Sequence, residues 1–238
     1  MSSSIVKGRK VVGKEDWLEA RRQLLEREKA WTRQRDALAA ERQAMPWHQV
    51  DADYVFEGEQ GPVSLAALFG RHHQLCVYHF MYGTDWEAGC KSCSFWADGF
   101  NSVLAHLAAR DVRLVCVSKA PLAKLLQYRA RMGWLFDWYS AANNQFNEDY
   151  GVSFAPHVAA QGGGDYNYRE GRPIGQEMPG MSAFFKDDDG AVYHTYSCYA
   201  RGLEPFNVAY GLLDLAPLGR NEQDLGFTME WVQRHDEY

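Results

Sequence analysis

The sequence predicts an α/β domain, and two pairs of neighbouring segments indicate this class. Residues 75–81 and 111–118 are short runs of apolar, aromatic and β-branched residues, which are typical of buried strands. Each run is followed by a segment whose apolar residues recur at helical spacing. Because strand, helix, strand and helix alternate, we expect two parallel strands joined by a right-handed crossover.

A helical arm is predicted ahead of this domain. Residues 14–45 are rich in Ala, Leu, Glu and Arg. Every seventh residue is apolar in the series Trp17, Leu24, Trp31, Leu38 and Met45. We expect two helices broken near Trp31 and stopped by Pro46. Because an apolar stripe left in water promotes aggregation, we expect it to pack on the domain or on a second copy of the chain, which makes a homo-oligomer through the arm a candidate assembly.

The predicted domain bounds are residues 1–46 for the arm, 47–220 for the α/β domain and 221–238 for a polar C-terminal tail. Early in the domain, residues 54–56 and 63–65 read as two strands, and Ser64 is placed to cap a helical turn that runs through Phe69.

The second half of the domain continues the alternation. Pro121 opens a predicted helix that runs to about Met132. A weaker strand is predicted at 135–140, and a short helix at 145–150 is closed by Gly151. Residues 159–178 include three consecutive glycines and show no period, which predicts a mobile loop. Strands at 181–185 and 191–196 are joined through an Asp-Gly turn, which is a strong hairpin signal.

Composition excludes several classes of protein. The 25 Lys and Arg residues are outnumbered by 31 Asp and Glu, and the formal charge of −6 argues against a nucleic-acid surface. No apolar run approaches the ~20 residues of a membrane span. Residues 1–12 have no apolar core of a secretory signal, so we expect a cytoplasmic protein without nucleic-acid or membrane partners. Five cysteines do not form the pattern of a disulfide framework.

Two of those cysteines carry the chemistry that the sequence predicts. Cys90 and Cys93 follow the loop after the 75–81 strand and open the next helical segment. Cysteines three apart on a helical turn share a face, so their sulfurs can meet at the ~2.05 Å of a disulfide. A cysteine at a helix N-terminus is favoured as a thiolate, which makes Cys90 the candidate nucleophile and the more buried Cys93 the resolving thiol. We expect no cofactor.

Four further residues are candidates for supporting roles. Lys91 adds favourable charge beside Cys90, which nearby acidic residues oppose. His79, near the end of the 75–81 strand, either exchanges a proton with Cys93 or is merely hydrogen-bonded. Trp86 either shields the dithiol, faces the substrate or packs in the core. Pro179 lies just before a hairpin strand, where a proline could meet the dithiol across the sheet.

Two alternatives from other classes remain open at this point. A lone Cys-x-x-Cys can be half of a zinc site, and the candidate four-ligand set is Cys90, Cys93, His194 and Cys198. A protein that keeps the fold but uses its arm and aromatic surface for binding is the other alternative.

Several segments resemble the bacterial domain-of-unknown-function 899 family. They are Tyr78-His79-Phe80-Met81, the Asp85 to Asp98 stretch with Gly89-Cys90-Lys91-Ser92-Cys93-Ser94, Arg131-Met132-Gly133-Trp134, and His194 to Gly202. The resemblance spans nearly the whole chain, although family members often carry proline where this chain has Lys91. Members are classed as predicted dithiol-disulfide oxidoreductases. The resemblance therefore implies a thioredoxin-like, peroxiredoxin-type three-layer sandwich with a mixed central sheet. Its implied partners are a disulfide substrate, protein or small molecule, and a cellular thiol reductant.

Peroxide reduction is less favoured. The peroxiredoxin branch of this fold uses a Pro-x-x-x-Thr-x-x-Cys pattern to hold peroxide. Counting back from Cys90 places Glu87 and Gly83 at the Thr and Pro positions. Because both matching residues are missing, we expect thiol–disulfide exchange rather than efficient peroxide turnover.

Overall fold

A mixed β-sheet is the core of the unit Trp47–Tyr238. The structure is a computed structural model that describes residues 8–161, 164–170 and 175–238. The strands of the described residues are β1 (His48–Gln49), β2 (Val55–Gly58), β3 (Gly61–Ser64), β4 (Gln74–His79), β5 (Val112–Ser118), β6 (Asp137–Ser140), β7 (Asp165–Tyr166), β8 (Arg169–Glu170), β9 (Gly180–Lys186) and β10 (Val192–Tyr199). In that part of the chain, eight of them form one sheet in the order β1-β10-β9-β4-β5-β6-β2-β3, and β7 pairs with β8.

Short helices surround the sheet and one long helix precedes it. They are α1 (Lys14–Gln43), α2 (Leu65–Leu68), α3 (Lys91–Ala97), α4 (Leu104–Ala108), α5 (Leu122–Arg131), α6 (Phe146–Asp149), α7 (Pro156–Gln161), a 3₁₀ helix (Ala200–Phe206) and α8 (Val208–Leu213). Across the described residues, no helix is long and apolar enough to cross a membrane. The chain divides into two compact units, Met1–Pro46 and Trp47–Tyr238.

The predicted parallel pair is confirmed. β4 and β5 run parallel, with Gln74 opposite Val112 and His79 opposite Val117. β6 continues the parallel set beside β5, whereas β9 pairs antiparallel with the other edge of β4. The β9–β10 hairpin is confirmed as well, with Gly190 of its Asp-Gly turn at a φ of 88°, which favours glycine.

Two buried clusters, one on each face of the sheet, make the domain a three-layer sandwich. One cluster packs α3 and α5 on one face, through residues such as Tyr78, Trp96 and Leu125. The other packs α2 and α6 on the opposite face, through residues such as Val77 and Phe146. Helices on both faces of a mixed sheet confirm the α/β class that the sequence predicts and the thioredoxin-like sandwich that the family resemblance implies.

Smaller predicted elements are also present. The 54–56 and 63–65 strands are the β2–β3 hairpin, and the Ser64 side chain accepts a hydrogen bond from the Ala67 amide at the start of α2. Pro121 is the residue before α5, and Met132 is the residue after it. Gly151 follows α6 with a φ of 63°.

Three expectations about local structure need correction or limits. The arm is a single helix, α1, rather than two helices broken near Trp31, because no Pro or Gly interrupts its sequence. The segment after the dithiol is two helices, α3 and α4, because the chain turns at Gly99 and buries Phe100. The predicted 159–178 loop contains the end of α7 and the β7–β8 hairpin, and residues 162, 163 and 171–174 lie outside the described residues.

Candidate active site

The dithiol lies beyond the carboxyl end of β4, at the first turn of α3. The Cys90 amide donates a hydrogen bond of 3.1 Å to the Met81 carbonyl. This bond joins the start of α3 to the residues that directly follow β4. Gly89 precedes Cys90 at a close approach between rings. A Cβ atom there would lie 2.8 Å from the Phe80 ring and 2.9 Å from the Tyr128 ring. Glycine is therefore required immediately before the first cysteine.

Cys90 and Cys93 are both thiols in the structure, and their environments differ. Cys90 is partly exposed, whereas Cys93 is 1% exposed. The pKa of Cys90 is lowered to about 6, chiefly because the Cys93 thiol donates a hydrogen bond to it. The backbone amides of Cys93 and Ser92 and the Ser92 hydroxyl also lower this pKa, against the opposing effect of burial. This shift favours the thiolate form of Cys90.

Cys93 has the opposite character. Burial raises its pKa well above the usual value, and the adjacent Cys90 raises it further. Two donors act in the other direction: the Met81 amide, 3.4 Å from the Cys93 sulfur, and the Tyr78 hydroxyl. The raised pKa favours the protonated form of Cys93. If the thiol loses its proton, the Met81 amide and the Tyr78 hydroxyl can stabilise the negative charge on the sulfur.

Tyr78 is a site residue that the sequence analysis missed. It is 1% exposed, and burial followed by the neighbouring Cys93 raises the pKa of its hydroxyl well above 10.0. Strand alternation predicts from the sequence that Tyr78 and His79 lie on opposite faces, but only the structure shows that α3 covers the face of Tyr78 and Cys76. The phenol is therefore the polar side chain that β4 directs at the dithiol.

His79 lies on the other face. Its Nε2 is 2.8 Å from the Ser182 hydroxyl and its Nδ1 is 3.3 Å from the Asn147 side-chain oxygen. Burial lowers its pKa to about 4, so the ring is neutral at physiological pH. Of the two readings open for His79, the hydrogen-bonded core residue fits this placement. Exchange of a proton with Cys93 does not, because the sheet lies between them.

The remaining supporting candidates make no hydrogen bond to either sulfur among the described contacts. The Lys91 ammonium donates to the Glu230 carbonyl at 2.9 Å. Trp86 is 37% exposed, and its indole lies against Gly83. Pro179 follows a trans peptide bond and immediately precedes β9, at the same edge of the sheet as the dithiol loop.

The candidate zinc ligands are not brought together. His194 lies on the face of His79, where its Nε2 is 2.7 Å from the Ser197 hydroxyl and its ring packs edge-on against Tyr150. Cys198 packs on the opposite face, in the cluster that contains Cys93. Within residues 8–161, 164–170 and 175–238, no three His, Cys, Asp or Glu side chains are placed to hold a metal ion.

Residues 229–237 pack along α3, which the sequence did not predict. They belong to the predicted polar tail at 221–238, yet Val232 is fully buried. The contacts with α3 and its flanks are Lys91 to the Glu230 carbonyl, Phe95 to the Trp231 ring at 5.6 Å between centroids, and Asp98 to His235 at 2.7 Å. Arg234 also donates to the Gly89 carbonyl at 2.9 Å. Only Trp231, a large aromatic residue in polar sequence, signalled this packing in advance.

Comparisons with known proteins give a family and several distant structural likenesses. Residues 6–238 match the family described as "Bacterial protein of unknown function (DUF899)". No curated protein matches the chain.

Solved structures similar to this chain include redox proteins. Peroxidoxin BcpB from Mycobacterium tuberculosis is 14% identical over 66% of this chain and 86% of that chain, with a TM-score of 0.45. A Cys-to-Ser variant of peroxiredoxin Q from Xanthomonas campestris is 15% identical over 72% and 99%, with a TM-score of 0.46. A candidate thiol:disulfide interchange protein DsbE from Chlorobium tepidum is 17% identical over 69% and 97%, with a TM-score of 0.39. At these identities and scores, none of the likenesses transfers a reaction to this chain.

Proposed function

This chain belongs to the bacterial family of unknown function DUF899, whose description names no reaction, and from its site we propose that it is a thiol–disulfide oxidoreductase. Cys90 is the nucleophile and Cys93 the resolving thiol. The observation that carries the proposal is the unequal exposure of the two thiols at the start of α3: Cys90 is partly exposed, whereas Cys93 is buried and accepts a hydrogen bond from the Met81 amide. The pKa of Cys90 is lowered to about 6, chiefly by the neighbouring Cys93 thiol, and burial raises the pKa of Cys93. A thiolate next to a protonated thiol is the arrangement that two-step exchange requires.

In the first step, the Cys90 thiolate attacks one sulfur of a substrate disulfide. The substrate S–S bond breaks, a mixed disulfide with Cys90 forms, and the other substrate sulfur leaves as a thiolate that takes a proton. Cys90 reaches this substrate because it is the partly exposed member of the pair.

In the second step, Cys93 gives up its proton and attacks the Cys90 sulfur. The Met81 amide and the Tyr78 hydroxyl stabilise the negative charge on Cys93 during this step. The Cys90–Cys93 disulfide forms, and the second substrate sulfur leaves and takes the proton. The substrate has gained two electrons from the protein and two protons, one from Cys93 and one from water, because Cys90 reacts as the thiolate.

A cellular thiol restores the dithiol by two exchanges in the reverse sense, and the thiol itself becomes a disulfide. This cycle needs a reducing pool, so we place it in the cytoplasm. The substrate class is a protein or small-molecule disulfide.

The test is alkylation of the reduced protein with limiting iodoacetamide across pH 4–9, with each cysteine followed by peptide mass. We expect Cys90 to react with a midpoint near 6, the value to which its pKa is lowered, and Cys93 to react poorly. The Cys93→Ser variant should accumulate a mixed disulfide with a small aromatic disulfide, and Cys90→Ser should lose disulfide reductase activity. Equal reactivity of the two cysteines, or reductase activity in Cys90→Ser, would contradict the proposal.

A further inference from the structure

We propose that Arg234 is a positioning residue for Cys90, because its guanidinium holds the carbonyl groups on both sides of that cysteine. The inference rests on the proposed function for its chemical consequence, although the contacts are independent of it. Arg234 is far from the dithiol in sequence and belongs to the 229–237 segment that packs along α3.

The first contact is direct. Arg234 Nη2 donates to the Gly89 carbonyl at 2.9 Å. This carbonyl belongs to the same peptide group as the Cys90 amide, which donates to the Met81 carbonyl at 3.1 Å. The peptide group that enters Cys90 is therefore held at both its oxygen and its nitrogen. Gly89 has no side chain to limit its own torsion angles, so an external hold is needed to fix this group.

The second contact runs through two hydroxyl groups. Arg234 Nε donates to the Tyr128 hydroxyl at 2.8 Å, and that hydroxyl is 2.9 Å from the Ser94 hydroxyl. Ser94 in turn donates to the Cys90 carbonyl at 2.9 Å. A guanidinium can only donate, so the Tyr128 hydroxyl accepts from Arg234 and donates its own hydrogen bond to the Ser94 hydroxyl. All three bonds point the same way, from Arg234 to Cys90.

Burial strengthens this connection. Ser94 is fully buried and Tyr128 is 4% exposed, so their hydrogen bonds are shielded from water. The Arg234 side chain is 21% exposed, and its outer nitrogen pairs with Glu237 at 3.0 Å. A planar guanidinium serves the Gly89 and Tyr128 acceptors together, whereas a lysine ammonium on a flexible chain is a single point charge. The geometry therefore requires arginine rather than any cation.

The contact has a consequence for reactivity. The Cys90 sulfur accepts hydrogen bonds from the Ser92 and Cys93 amides and from the Cys93 thiol, and those bonds depend on how the two peptide groups flanking Cys90 are oriented. If Arg234 no longer fixes these peptide groups, the Cys90 sulfur spends less time within hydrogen-bonding distance of its donors. The thiolate is then less favoured, and the pKa of Cys90 rises.

The experiment compares iodoacetamide reactivity of Cys90 against pH in the full-length wild type, Arg234→Gln and Arg234→Lys. We expect both variants to shift the profile by about one pH unit upwards, which lowers the rate at pH 6 roughly five-fold. Retention of the wild-type profile in Arg234→Lys would show that charge alone matters, and would overturn the positioning role.

Arg131→Gln is the matched control. Arg131 binds Asp236 and Glu237 in the same segment, at 2.7 and 2.8 Å, and is not hydrogen-bonded to the Gly89 carbonyl or the Tyr128 hydroxyl. We expect this variant to keep the wild-type profile. An equal shift in Arg131→Gln would mean that docking of the segment in general, rather than Arg234, sets the reactivity, and would overturn the inference.

Two further measurements keep the inference testable if Arg234→Gln does not fold or if the redox proposal fails. Tyr128→Phe removes only the second contact, and we expect a smaller shift in the same direction; an unchanged profile would count against the inference.

Hydrogen exchange of the Cys90 amide reports the hold on its peptide group without reference to redox chemistry. Suppose that the Cys90 amide exchanges faster in Arg234→Lys, but that the wild-type Cys90 thiol titrates at the usual pKa of a cysteine. This result would refute the proposed function and leave the positioning role intact. Unchanged exchange together with an unchanged pH profile would refute the positioning role.

Discussion

Tyr78 and His79 are consecutive in β4, and their side chains lie on opposite faces of the sheet. The Tyr78 hydroxyl is hydrogen-bonded to buried Cys93, whereas His79 is bonded to Ser182 and Asn147 in the cluster behind the sheet. The two side chains therefore differ in their surroundings: Tyr78 neighbours the dithiol, and His79 does not. The pair also provides matched variants that distinguish an effect on the dithiol from an effect on the fold.

Tyr78→Phe should slow the second step of exchange. The substitution removes one of the donors that stabilise negative charge on Cys93, while the ring and its packing are kept. A hydrogen bond to a charged group contributes about 1.5 kcal/mol, so we expect the mixed disulfide at Cys90 to resolve about tenfold more slowly. Stopped-flow mixing with a chromogenic disulfide measures this rate. His79→Gln is the control and should resolve at the wild-type rate; a similar slowing in both variants would show that the effect is structural.

His79 should make stability depend on pH below neutrality. Its pKa is about 4 in the folded chain and ~6.5 when unfolded, so the unfolded chain binds more protons between these values. Its stabilising contribution is complete above about pH 6.5 and is lost as pH falls towards 4, by up to ~1.4 kcal/mol per pH unit. Urea unfolding of wild type and His79→Gln at pH 7.5 and 4.5 should show a smaller decrease in the variant.

The difference between the two proteins is the relevant quantity for His79, because another buried group acts with the opposite sign. Burial raises the pKa of Glu177 to about 7, so its protonation favours the folded chain as pH falls. This contribution is common to wild type and variant and cancels. Identical pH dependence in both proteins would contradict the assignment of a depressed pKa to His79.

Gly89→Ala should destabilise the domain and disturb Cys90 together. The new methyl group would meet the Phe80 and Tyr128 rings at 2.8 and 2.9 Å, and relief of such contacts costs about 1–3 kcal/mol. Thermal unfolding and Cys90 alkylation should both change. Gly211→Ala in α8 is the control, since nothing lies within 4 Å of its added Cβ. We expect that variant to be unchanged or slightly more stable, because alanine favours a helix.

The arm should mediate self-association. In α1, Trp17 is 56% exposed and Trp31 is 61% exposed, which is unusual for large apolar side chains in a monomer. We expect Trp17→Glu/Trp31→Glu, and a variant that lacks residues 1–45, to sediment with fewer subunits per particle than the wild type. Arg22→Ala, at a solvated position of the same helix, should not change the number of subunits. The same number of subunits in all four proteins would argue against assembly through the arm.

Peroxide should be a poor substrate. Gly83 and Glu87 lie where the peroxide-holding residues of peroxiredoxins would be, so little in the loop orients peroxide for attack by Cys90. We expect slow sulfenate formation at micromolar peroxide, in contrast to fast exchange with a disulfide. Dimedone trapping followed by peptide mass measures it, and rapid labelling of Cys90 would contradict the expectation.

The sequence by itself determined the class of fold and the position of the dithiol. The strands at β4 and β5, the β9–β10 hairpin and the start of α3 at Cys90 all follow from local signals: apolar runs, an Asp-Gly turn and helical spacing. Such signals act between near neighbours, so they can be recognised without knowledge of the rest of the fold. The break between α3 and α4 was missed because it depends on the burial of Phe100, a tertiary contact that overrides helical spacing.

Only the tertiary structure decided which residues act on the two sulfurs. Strand pairing and helix packing directed Tyr78 towards Cys93 and His79 away from it, a choice that the residue types alone did not reveal. Arg234 reaches the Gly89 carbonyl from 145 residues away, and no periodicity in sequence records a contact of that range. The sequence predicts that the two thiols differ, but the hydrogen bonds that lower the pKa of Cys90 and the burial that raises the pKa of Cys93 come from packing, because a pKa is set by the surroundings of a group in space.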